Sequence, residues 1–413
     1  MTAAGSVAVL SSASGGGGGI AARRLCDALD GAEGLSADFI DIATLGQALP
    51  PAVSPMESLS NRRLSDTHFT LEHPGFQRGW MVGMLARYDL INVHWASYLV
   101  ALAELHELAM AGRPILFWLH DFHYLTGGCH YPAGCEGFVH DCRGCPQIDT
   151  GRASSTAPVR SLAIKRAIFA CPNVHLTAPS QFLGARAVAA GIVPPERTHV
   201  LRNVYVPLAD TAPRPSQGRL LLIADSLAEG RKNMGLALDV LAAVAAAMPP
   251  GGMCVDIVGH APDELRRRLA TGQVPHVLHG RITDHARLTG ILARADVVLT
   301  CSNEDNWPNV LVEAGSYGAV PVVGPGHGCA EFVRSYGFGE VASAYSVPAF
   351  AAAVRQALGH AAGDPEGRHR AATAIRADHA PDRVVADFLR LIRTMAGLPV
   401  RPACTGNAGG RDA

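Results

Sequence analysis

The sequence predicts an α/β protein built from two doubly wound, Rossmann-like domains that face a cleft. Three observations favour this fold class. The chain has 413 residues, which is too long for one comfortable core. Short apolar strands alternate with helix-length segments in both halves, and repeated units of this size imply parallel sheets with right-handed crossovers. A Pro-rich stretch after residue 208, LADTAPRPSQG, interrupts the alternation and marks the domain boundary.

The first half, residues 1–208, begins with a strand at Ser6–Leu10, a glycine-rich turn at Gly15–Gly19 and a helix from Ile20. Residues 45–80 are rich in Pro and polar residues and predict a long functional loop with some helix. The remaining predicted strands are 37–42, 90–93, 115–119 and 174–178, and the remaining predicted helices are 99–112 and 161–170.

The second half, residues 209–380, restarts the alternation. Its predicted strands are 220–223, 254–258, 277–278, 297–300 and 320–323, and its predicted helices are 234–247, 262–269, 286–293 and 309–317. A last helix at 381–396 is expected to pack back on the first domain, and residues 397–413 are expected to be a disordered tail. Because ligands bind at the carboxyl ends of the strands in such sheets, the predicted sites surround the cleft.

The composition is that of a folded globular protein, with 48% apolar and 17% charged residues. The formal net charge of −1 argues against a nucleic-acid binder, which needs a surplus of Lys and Arg. We find neither an apolar run long enough to span a bilayer nor the basic and apolar regions of a signal peptide. We therefore expect a cytoplasmic protein without a transmembrane segment.

The most informative segment, SNEDNWPNVLVEAGSYGAVPVVG, joins a strand to a helix that begins near Pro308. Backbone N–H groups at a helix start favour a diphosphate. Asp305 lies in the loop and Glu313 eight residues later in the helix, so both carboxylates can accept hydrogen bonds from sugar and ribose hydroxyls. The alternative is a polar helix cap with an incidental Glu.

This segment resembles the acid-x7-acid motif of the retaining group 1 (family 4) glycosyltransferases, which have the GT-B fold. The resemblance covers nearly the whole chain and implies transfer of a hexose-type sugar from a nucleotide-diphosphate donor, with UDP as the default. It assigns Glu313 to the ribose and Asp305, where the family generally has Glu, to the donor hexose. It also implies transfer with retention and without a required cofactor, because the protein itself stabilises the leaving diphosphate.

The resemblance implies further donor contacts. In LLIADSLAEGRKNMGLALDVL, Lys232 matches the family's pyrophosphate-binding Lys, whereas Ser226 replaces its Arg. The adjacent Arg231 can supply the missing charge, unless both cations are a solvated basic pair. The other donor-binding residues so implied are Gly16 and Gly17 in the glycine turn, the interdomain Asn203, Asn309 at the helix start, and Gly280 and Arg281 in a loop that reads the nucleobase.

His120 ends a predicted strand in ILFWLHDFHYLTGGCHY, and a His at the carboxyl edge of a parallel strand faces a cleft more often than the core. The resemblance places His120 at the donor sugar, so we predict His120, Asp305 and Glu313 as catalytic residues; a structural pairing of His120 with Asp121 is the alternative. His94 and Trp95 end another strand and serve either acceptor binding or packing.

Four of the ten cysteines form a C-x5-C-x6-C-x2-C pattern within seventeen residues. They are Cys129, Cys135, Cys142 and Cys145. Four thiolates ending in C-x2-C can close a structural tetrahedral zinc site, which a reducing cytosol favours over two disulfides. His130 or His140 could replace one thiolate, and free or oxidised thiols are the alternative. The same pattern occurs in a subgroup of the resembled family, where we expect it to staple the loop beside the acceptor pocket.

The acceptor is not readable from the sequence. The first domain lacks a polybasic amphipathic helix, which favours a small molecule such as an antibiotic precursor over a bilayer lipid, and a saccharide is an open alternative. Three other functions stay open: a sugar-nucleotide epimerase or phosphorylase of the same fold, a noncatalytic sugar-nucleotide-binding scaffold and, with little support, a nicotinamide oxidoreductase.

Overall fold

A computed structural model describes residues 5–45, 69–71, 79–148, 156–208 and 214–395 of the chain. Most of the predicted loop at 45–80, part of the Pro-rich boundary and the predicted tail lie outside these ranges. None of the helices in these ranges combines the length and the apolar character that a membrane span needs.

The first domain is built on a six-stranded parallel sheet. Its strands are β1 (Ser6–Leu10), β2 (Ser36–Ile40), β3 (Leu90–Val93), β4 (Ile115–Trp118), β5 (Val174–Ala178) and β6 (Thr198–Val200). Its helices are α1 (Gly16–Leu29), α2 (Ile42–Leu45), α3 (Trp80–Leu85), α4 (Leu102–Met110), α5 (Ala157–Ala170) and α6 (Gln181–Ala189). The strand order is β2-β1-β3-β4-β5-β6. The central strands β3, β4 and β5 are buried along their whole length, as a parallel sheet covered on both faces requires.

The second domain repeats the architecture. Its strands are β7 (Arg219–Ser226), β8 (Cys254–His260), β9 (His276–Gly280), β10 (Val297–Thr300), β11 (Val320–Val323) and β12 (Glu340–Val341). Its helices are α7 (Met234–Ala246), α8 (Asp263–Thr271), α9 (His285–Leu292), α10 (Asn309–Gly315), α11 (His327–Tyr336), α12 (Val347–Gly363) and α13 (Pro365–His379). The strand order is β12-β11-β10-β7-β8-β9.

Each sheet has one point where the winding of the chain reverses, and these points position the site. The reversal lies between β1 and β3 in the first sheet and between β7 and β10 in the second. In open α/β sheets, ligands bind in the crevice at the carboxyl ends of the two strands that flank such a point. The loops that follow these four strands are therefore the loops expected to bind ligands.

The last helix, α14 (Pro381–Met395), follows the second domain but packs on the first. Its buried residues Val384, Phe388 and Leu389 share one apolar cluster with α1 and with the face of the first sheet that α1 covers. Burying a side chain such as Phe388 contributes roughly 2–3 kcal/mol, so this helix ties the two domains together.

Five predicted strands have the observed bounds, namely 6–10, 90–93, 174–178, 297–300 and 320–323. The prediction that the first helix starts at Ile20 is wrong, because α1 begins at Gly16 and includes most of the glycine turn. Glycine weakens a helix in isolation, and here packing at the cleft overrides that local preference. Four longer helices were not predicted, namely α6, α11, α12 and α13. In α12 the reason is that alanines make up much of the buried stripe and give a weak apolar signal.

Candidate functional site

Three charged side chains of the second domain meet between β7 and β10, where the winding of the chain reverses. They are Arg231, Lys232 and Asp305, and we call them the cation cluster. The two cations lie in the loop after β7, and Asp305 lies in the loop between β10 and α10. Lys232 Nζ donates to Asp305 Oδ2 at 2.7 Å, and Arg231 Nη1 donates to the same oxygen at 3.1 Å. The Asn303 N–H also donates to the Arg231 carbonyl at 2.8 Å, which holds the two loops together.

Arg231 points inward and is not part of a solvated basic pair. Its side chain is 14% exposed, and its Nη2 lies 2.8 Å from Glu229 Oε2. The guanidinium also lies 4.2 Å from the centroid of the Tyr131 ring, which belongs to the first domain. Burial alone would lower the pKa of Arg231, but Tyr131, Asp305 and Glu229 outweigh it and hold the pKa above its ordinary value.

Asp305 is ionised in this setting. Burial would raise its pKa, but the charges and hydrogen bonds of Lys232 and Arg231 outweigh that effect and hold the pKa below its ordinary value. Its other oxygen, Oδ1, accepts the backbone N–H of Asn306 at 3.0 Å. The carboxylate therefore holds both cations in position at this edge of the sheet.

Glu313 lies on α10 and faces the first domain. Its carboxylate is 15% exposed and lies 3.4 Å from Arg24 of α1, across the cleft. Burial raises the pKa of Glu313, and Arg24 opposes the rise. One small pocket is lined by Arg24, Asn203, Asn309 and Glu313, so three of the predicted site residues lie close together beside an Arg that the sequence did not single out.

A chain of side-chain amides connects the two domains across this pocket. The Trp118 indole N–H donates to Asn203 Oδ1 at 3.1 Å, and Asn203 Nδ2 donates to Asn309 Oδ1 at 3.0 Å. Asn309 Nδ2 in turn donates to the Gly17 carbonyl at 3.2 Å. Gly16 has a φ of 71°, a left-handed conformation that suits glycine. The glycine turn thus lies directly opposite the start of α10.

His120 lies between the glycine turn and the Asp305 loop. A Cβ at Gly18 would be 3.2 Å from His120 Cδ2, so a side chain at this position would crowd the ring and push it from its place. Asn306 Nδ2 donates to the His120 carbonyl at 3.0 Å from the other domain. The alternative pairing with Asp121 is not formed, because the Asp121 carboxylate lies 2.7 Å from His130 Nδ1.

His94 and Trp95 have different surroundings. His94 is 1% exposed and lies behind His120, with its Nδ1 2.8 Å from His120 Nε2. Between the two roles predicted for His94, this burial favours packing over acceptor binding. Trp95 is half-buried, and its indole Nε1 lies 3.1 Å from His130 Nδ1.

Gly280 and Arg281 lie at the carboxyl edge of the second sheet, two strands away from β7. Gly280 ends β9 with a φ of 69°. Arg281 is 65% exposed and lies 2.9 Å from Asp225. Their predicted contact with a nucleobase stays a prediction.

The four cysteines, in what we call the cysteine segment (residues 129–145), line one cavity of about 20 Å³. All four are free thiols. The N–H of Gly137 donates to Cys135 Sγ at 3.3 Å, and that of Gly127 donates to Cys142 Sγ at 3.2 Å. In the described part of the chain, no three His, Cys, Asp or Glu side chains stand close enough to hold a metal ion as they are. The donor set, the shared cavity and the N–H···S bonds fit a thiolate site that closes around its ion.

The cysteine segment also reaches the second domain. The Ala133 N–H donates to the Glu304 carboxylate at 3.0 Å, next to Asp305 in sequence. Tyr131, two residues earlier, stacks on Arg231. The segment therefore forms one wall of the cleft beside the cation cluster.

Sequence reasoning missed several residues of this site. Arg24 lies in α1, outside every predicted motif. Tyr131 lies within the cysteine segment and Asn306 directly after Asp305, but neither was singled out there. Asn92 is different, because a polar residue inside the apolar strand LINV is a detectable signal.

Residues 218–360 match the family model for Glycosyl transferases group 1. The putative colanic acid biosynthesis glycosyl transferase WcaC of Escherichia coli (strain K12) is 28% identical over 257 residues, covering 58% of this chain and 59% of that protein. The chain thus spans about three fifths of the length of this curated relative.

Several solved structures are similar over almost the whole chain. Anabaena HepE in complex with UDP-glucose has a TM-score of 0.59 at 16% identity, covering 94% of this chain and 99% of that chain. A glycosyltransferase from Rickettsia africae ESF-5 has a TM-score of 0.62 at 12% identity, covering 96% and 99%. WaaG, a glycosyltransferase involved in lipopolysaccharide biosynthesis, has a TM-score of 0.56 at 14% identity, covering 92% and 98%. The predicted two-domain α/β fold of the GT-B type is confirmed.

Proposed function

We propose that this chain, which carries a group 1 glycosyltransferase domain at residues 218–360, is a retaining hexosyltransferase. It moves a hexose-type sugar from a nucleotide-diphosphate donor, with UDP as the base, to a hydroxyl of a small-molecule or saccharide acceptor. One observation carries the proposal: Lys232 and Arg231 converge on Asp305 directly across the cleft from His120 and the glycine turn. HepE, which is similar over nearly its whole length, has been solved with UDP-glucose, and this supports the choice of donor.

The leaving diphosphate needs positively charged groups beside it, and we assign this role to Lys232 and Arg231 of the cation cluster. Lys232 and Arg231 are largely buried, so their charges act in a setting where electrostatic interactions are stronger than in water. Helix α10 spans only seven residues, so we assign the neutralisation mainly to the two cations. Glu313 is assigned to the ribose and Asp305 to the hexose, while Asp305 also holds both cations in position.

Transfer with retention by a front-face route fits the carboxylates of the site. Asp121 is bound to His130, and Asp305 is bound to the two cations, which argues against either acting as the nucleophile of a double displacement. In the proposed step, the bond from the anomeric carbon to the diphosphate oxygen breaks and the bond to the acceptor oxygen forms on the same face. The acceptor proton passes to the departing diphosphate, which leaves as UDP.

The first experiment is a thermal-shift and calorimetric comparison of UDP, UDP-sugars and the other nucleoside diphosphates, followed by mass spectrometry of products. We expect UDP binding, and transfer to an added acceptor with retained anomeric configuration. Glu313→Gln should lose most transfer, while the matched control Glu366→Gln, at a position 89% exposed on α13, should retain it. A donor sugar converted without acceptor would favour an epimerase, and binding with neither transfer nor hydrolysis would favour a scaffold.

We also propose that the cysteine segment holds a structural Zn²⁺ ion on Cys129, Cys135, Cys142 and Cys145. Burial raises the pKa of Cys142 to about 11, so an ion must displace thiol protons to bind, and binding should release protons to the buffer. With all four positions filled by sulfur, the ion would organise the loop and take no part in the transfer step.

Metal analysis of protein purified under reducing conditions tests the zinc proposal. We expect about one zinc per chain, lost in Cys142→Ser and kept in the control Cys254→Ser, which lies in β8 of the other domain. Metal-free protein with four reactive thiols, or protein whose mass shows disulfides, would reject the site.

A further inference from the structure

A chain of buried polar side chains runs behind His120. Asn92 in β3 is 0% exposed and His94, at the end of that strand, is 1% exposed. Asn92 Oδ1 lies 2.8 Å from His94 Nε2, and His94 Nδ1 lies 2.8 Å from His120 Nε2. The His94 ring also stacks on Trp118, with centroids 5.3 Å apart. Burying an amide and an imidazole costs free energy unless they are hydrogen-bonded, so both contacts restrict how these groups can turn.

The direction of each hydrogen bond follows from Asn92. Its Nδ2 donates to the Leu116 carbonyl at 2.9 Å, and a carbonyl can only accept. Turning the amide over would bring two oxygens together, so Oδ1 must face His94. Since Oδ1 only accepts, His94 Nε2 carries the hydrogen.

The same reasoning extends one ring further. In a neutral imidazole one nitrogen carries the hydrogen and the other accepts, so His94 Nδ1 is bare and accepts from His120 Nε2–H. Burial lowers the pKa of His94 well below its ordinary value and lowers that of His120 to about 4, with Asp121 opposing the fall for His120. Both rings are therefore neutral at physiological pH, and His120 Nδ1 is bare as well.

His120 Nδ1 is placed to meet a ligand. Among the described residues it has no hydrogen-bond partner, and the ring is half-buried at the cleft between Gly18 and the Asn306 loop. We infer that Asn92 and His94 are positioning residues that hold His120 as its Nε2–H tautomer, so that Nδ1 accepts a hydrogen bond from a hydroxyl of the donor sugar. The identity of that ligand rests on the proposed function; the tautomer does not.

This assignment restricts what His120 can do. A bare Nδ1 cannot donate to a diphosphate oxygen and cannot act as a general acid, whereas it can accept from a sugar hydroxyl and orient the anomeric carbon. Without the Asn92 acceptor, the chain could reverse: His94 Nδ1–H would donate to His120 Nε2, and His120 Nδ1 would then carry the hydrogen. The reversed chain would present a donor to the same hydroxyl.

The test is a two-bond ¹H–¹⁵N spectrum of the full chain labelled at histidine nitrogens, which separates hydrogen-bearing from bare ring nitrogens. We expect both His94 and His120 as Nε2–H tautomers, unchanged between about pH 6 and 8 because burial lowers the pKa of both rings. Asn92→Leu should populate the Nδ1–H form of His120 and lower kcat/KM roughly tenfold, the effect of one lost hydrogen bond. His120→Gln assigns the signals.

A matched control is the His175–His199 pair, which lies at the β5–β6 edge of the same sheet with its ring nitrogens 3.0 Å apart. His175→Gln should leave the His120 signals and transfer unchanged. A wild-type His120 that is Nδ1–H or doubly protonated at neutral pH would overturn the inference, whatever the effect of Asn92→Leu. If the tautomers are as expected but no nucleotide sugar binds, the positioning chain stands and the proposed function fails.

Discussion

Replacing Lys232 by Met tests the cation cluster most directly. Met keeps most of the aliphatic stem and removes the ammonium group, whose Nζ lies 2.7 Å from Asp305 Oδ2. The side chain is only 15% exposed, so its interaction with a bound diphosphate is weakly screened by solvent. Asp305 keeps Arg231 as a partner at 3.1 Å, so the variant does not leave a buried carboxylate unpaired.

The expected loss follows from one charge-assisted hydrogen bond. Such a bond contributes about 1.5–3 kcal/mol, so UDP should bind roughly 10- to 150-fold more weakly to Lys232→Met. Uridine has no phosphate and should bind the variant and the wild type equally well. Because Arg231 remains, the free energy of unfolding should fall by less than the roughly 3–5 kcal/mol that an unpaired buried charge costs.

Isothermal titration of UDP and of uridine separates the diphosphate contribution from the rest of the site. Arg370→Met is the matched control, because Arg370 is 69% exposed on α13 and should leave both affinities unchanged. The reasoning is refuted if UDP binds Lys232→Met within twofold of the wild type. It is also refuted if UDP and uridine weaken equally.

Three further predictions follow from other contacts. Glu331 on α11 accepts the first two backbone N–H groups of α6 at 2.8 and 2.7 Å across the domain boundary. Glu331→Ala removes this contact, so small-angle scattering should show a larger radius of gyration. An unchanged radius would contradict a role for Glu331 in holding the domains together. Gly19→Ala would put a Cβ 2.2 Å from the Ala13 carbonyl oxygen, so the free energy of unfolding in urea should fall by about 1–3 kcal/mol. The control Gly15→Ala has open space around its Cβ and should leave this free energy nearly unchanged. Equal effects of the two substitutions would contradict the close packing at Gly19. Burial lowers the pKa of His379 from 6.5 to about 4, so its contribution to stability is complete above pH 6.5, and about 3 kcal/mol is lost as the pH falls to 4. In denaturant titrations, the free energy of unfolding of His379→Asn should therefore depend less on pH than that of the wild type. An unaltered pH dependence would disprove the lowered pKa of His379.

Much of the fold could be predicted from local patterns. The strands at 90–93 and 174–178 are short, buried apolar runs, and their bounds were predicted correctly because a parallel strand covered on both faces tolerates few polar residues. The spacing from Asp305 to Glu313 predicted a loop carboxylate followed by a helical one, and the structure has that arrangement. Helix α12 was missed because its buried stripe consists mostly of alanine, and alanine also occurs on its exposed face, at Ala352 and Ala362.

The sequence by itself determined the alternation of strands and helices, the two-domain α/β class and the residue types at the carboxyl ends of the strands. Only the tertiary structure decided that Arg231 turns inward against Tyr131, that Arg24 faces Glu313, and that His94 lies behind His120. The physical reason is that periodicity and spacing are properties of one segment, whereas these contacts join residues far apart in the chain. Such contacts depend on which strands become neighbours in a sheet and on how the two sheets face each other.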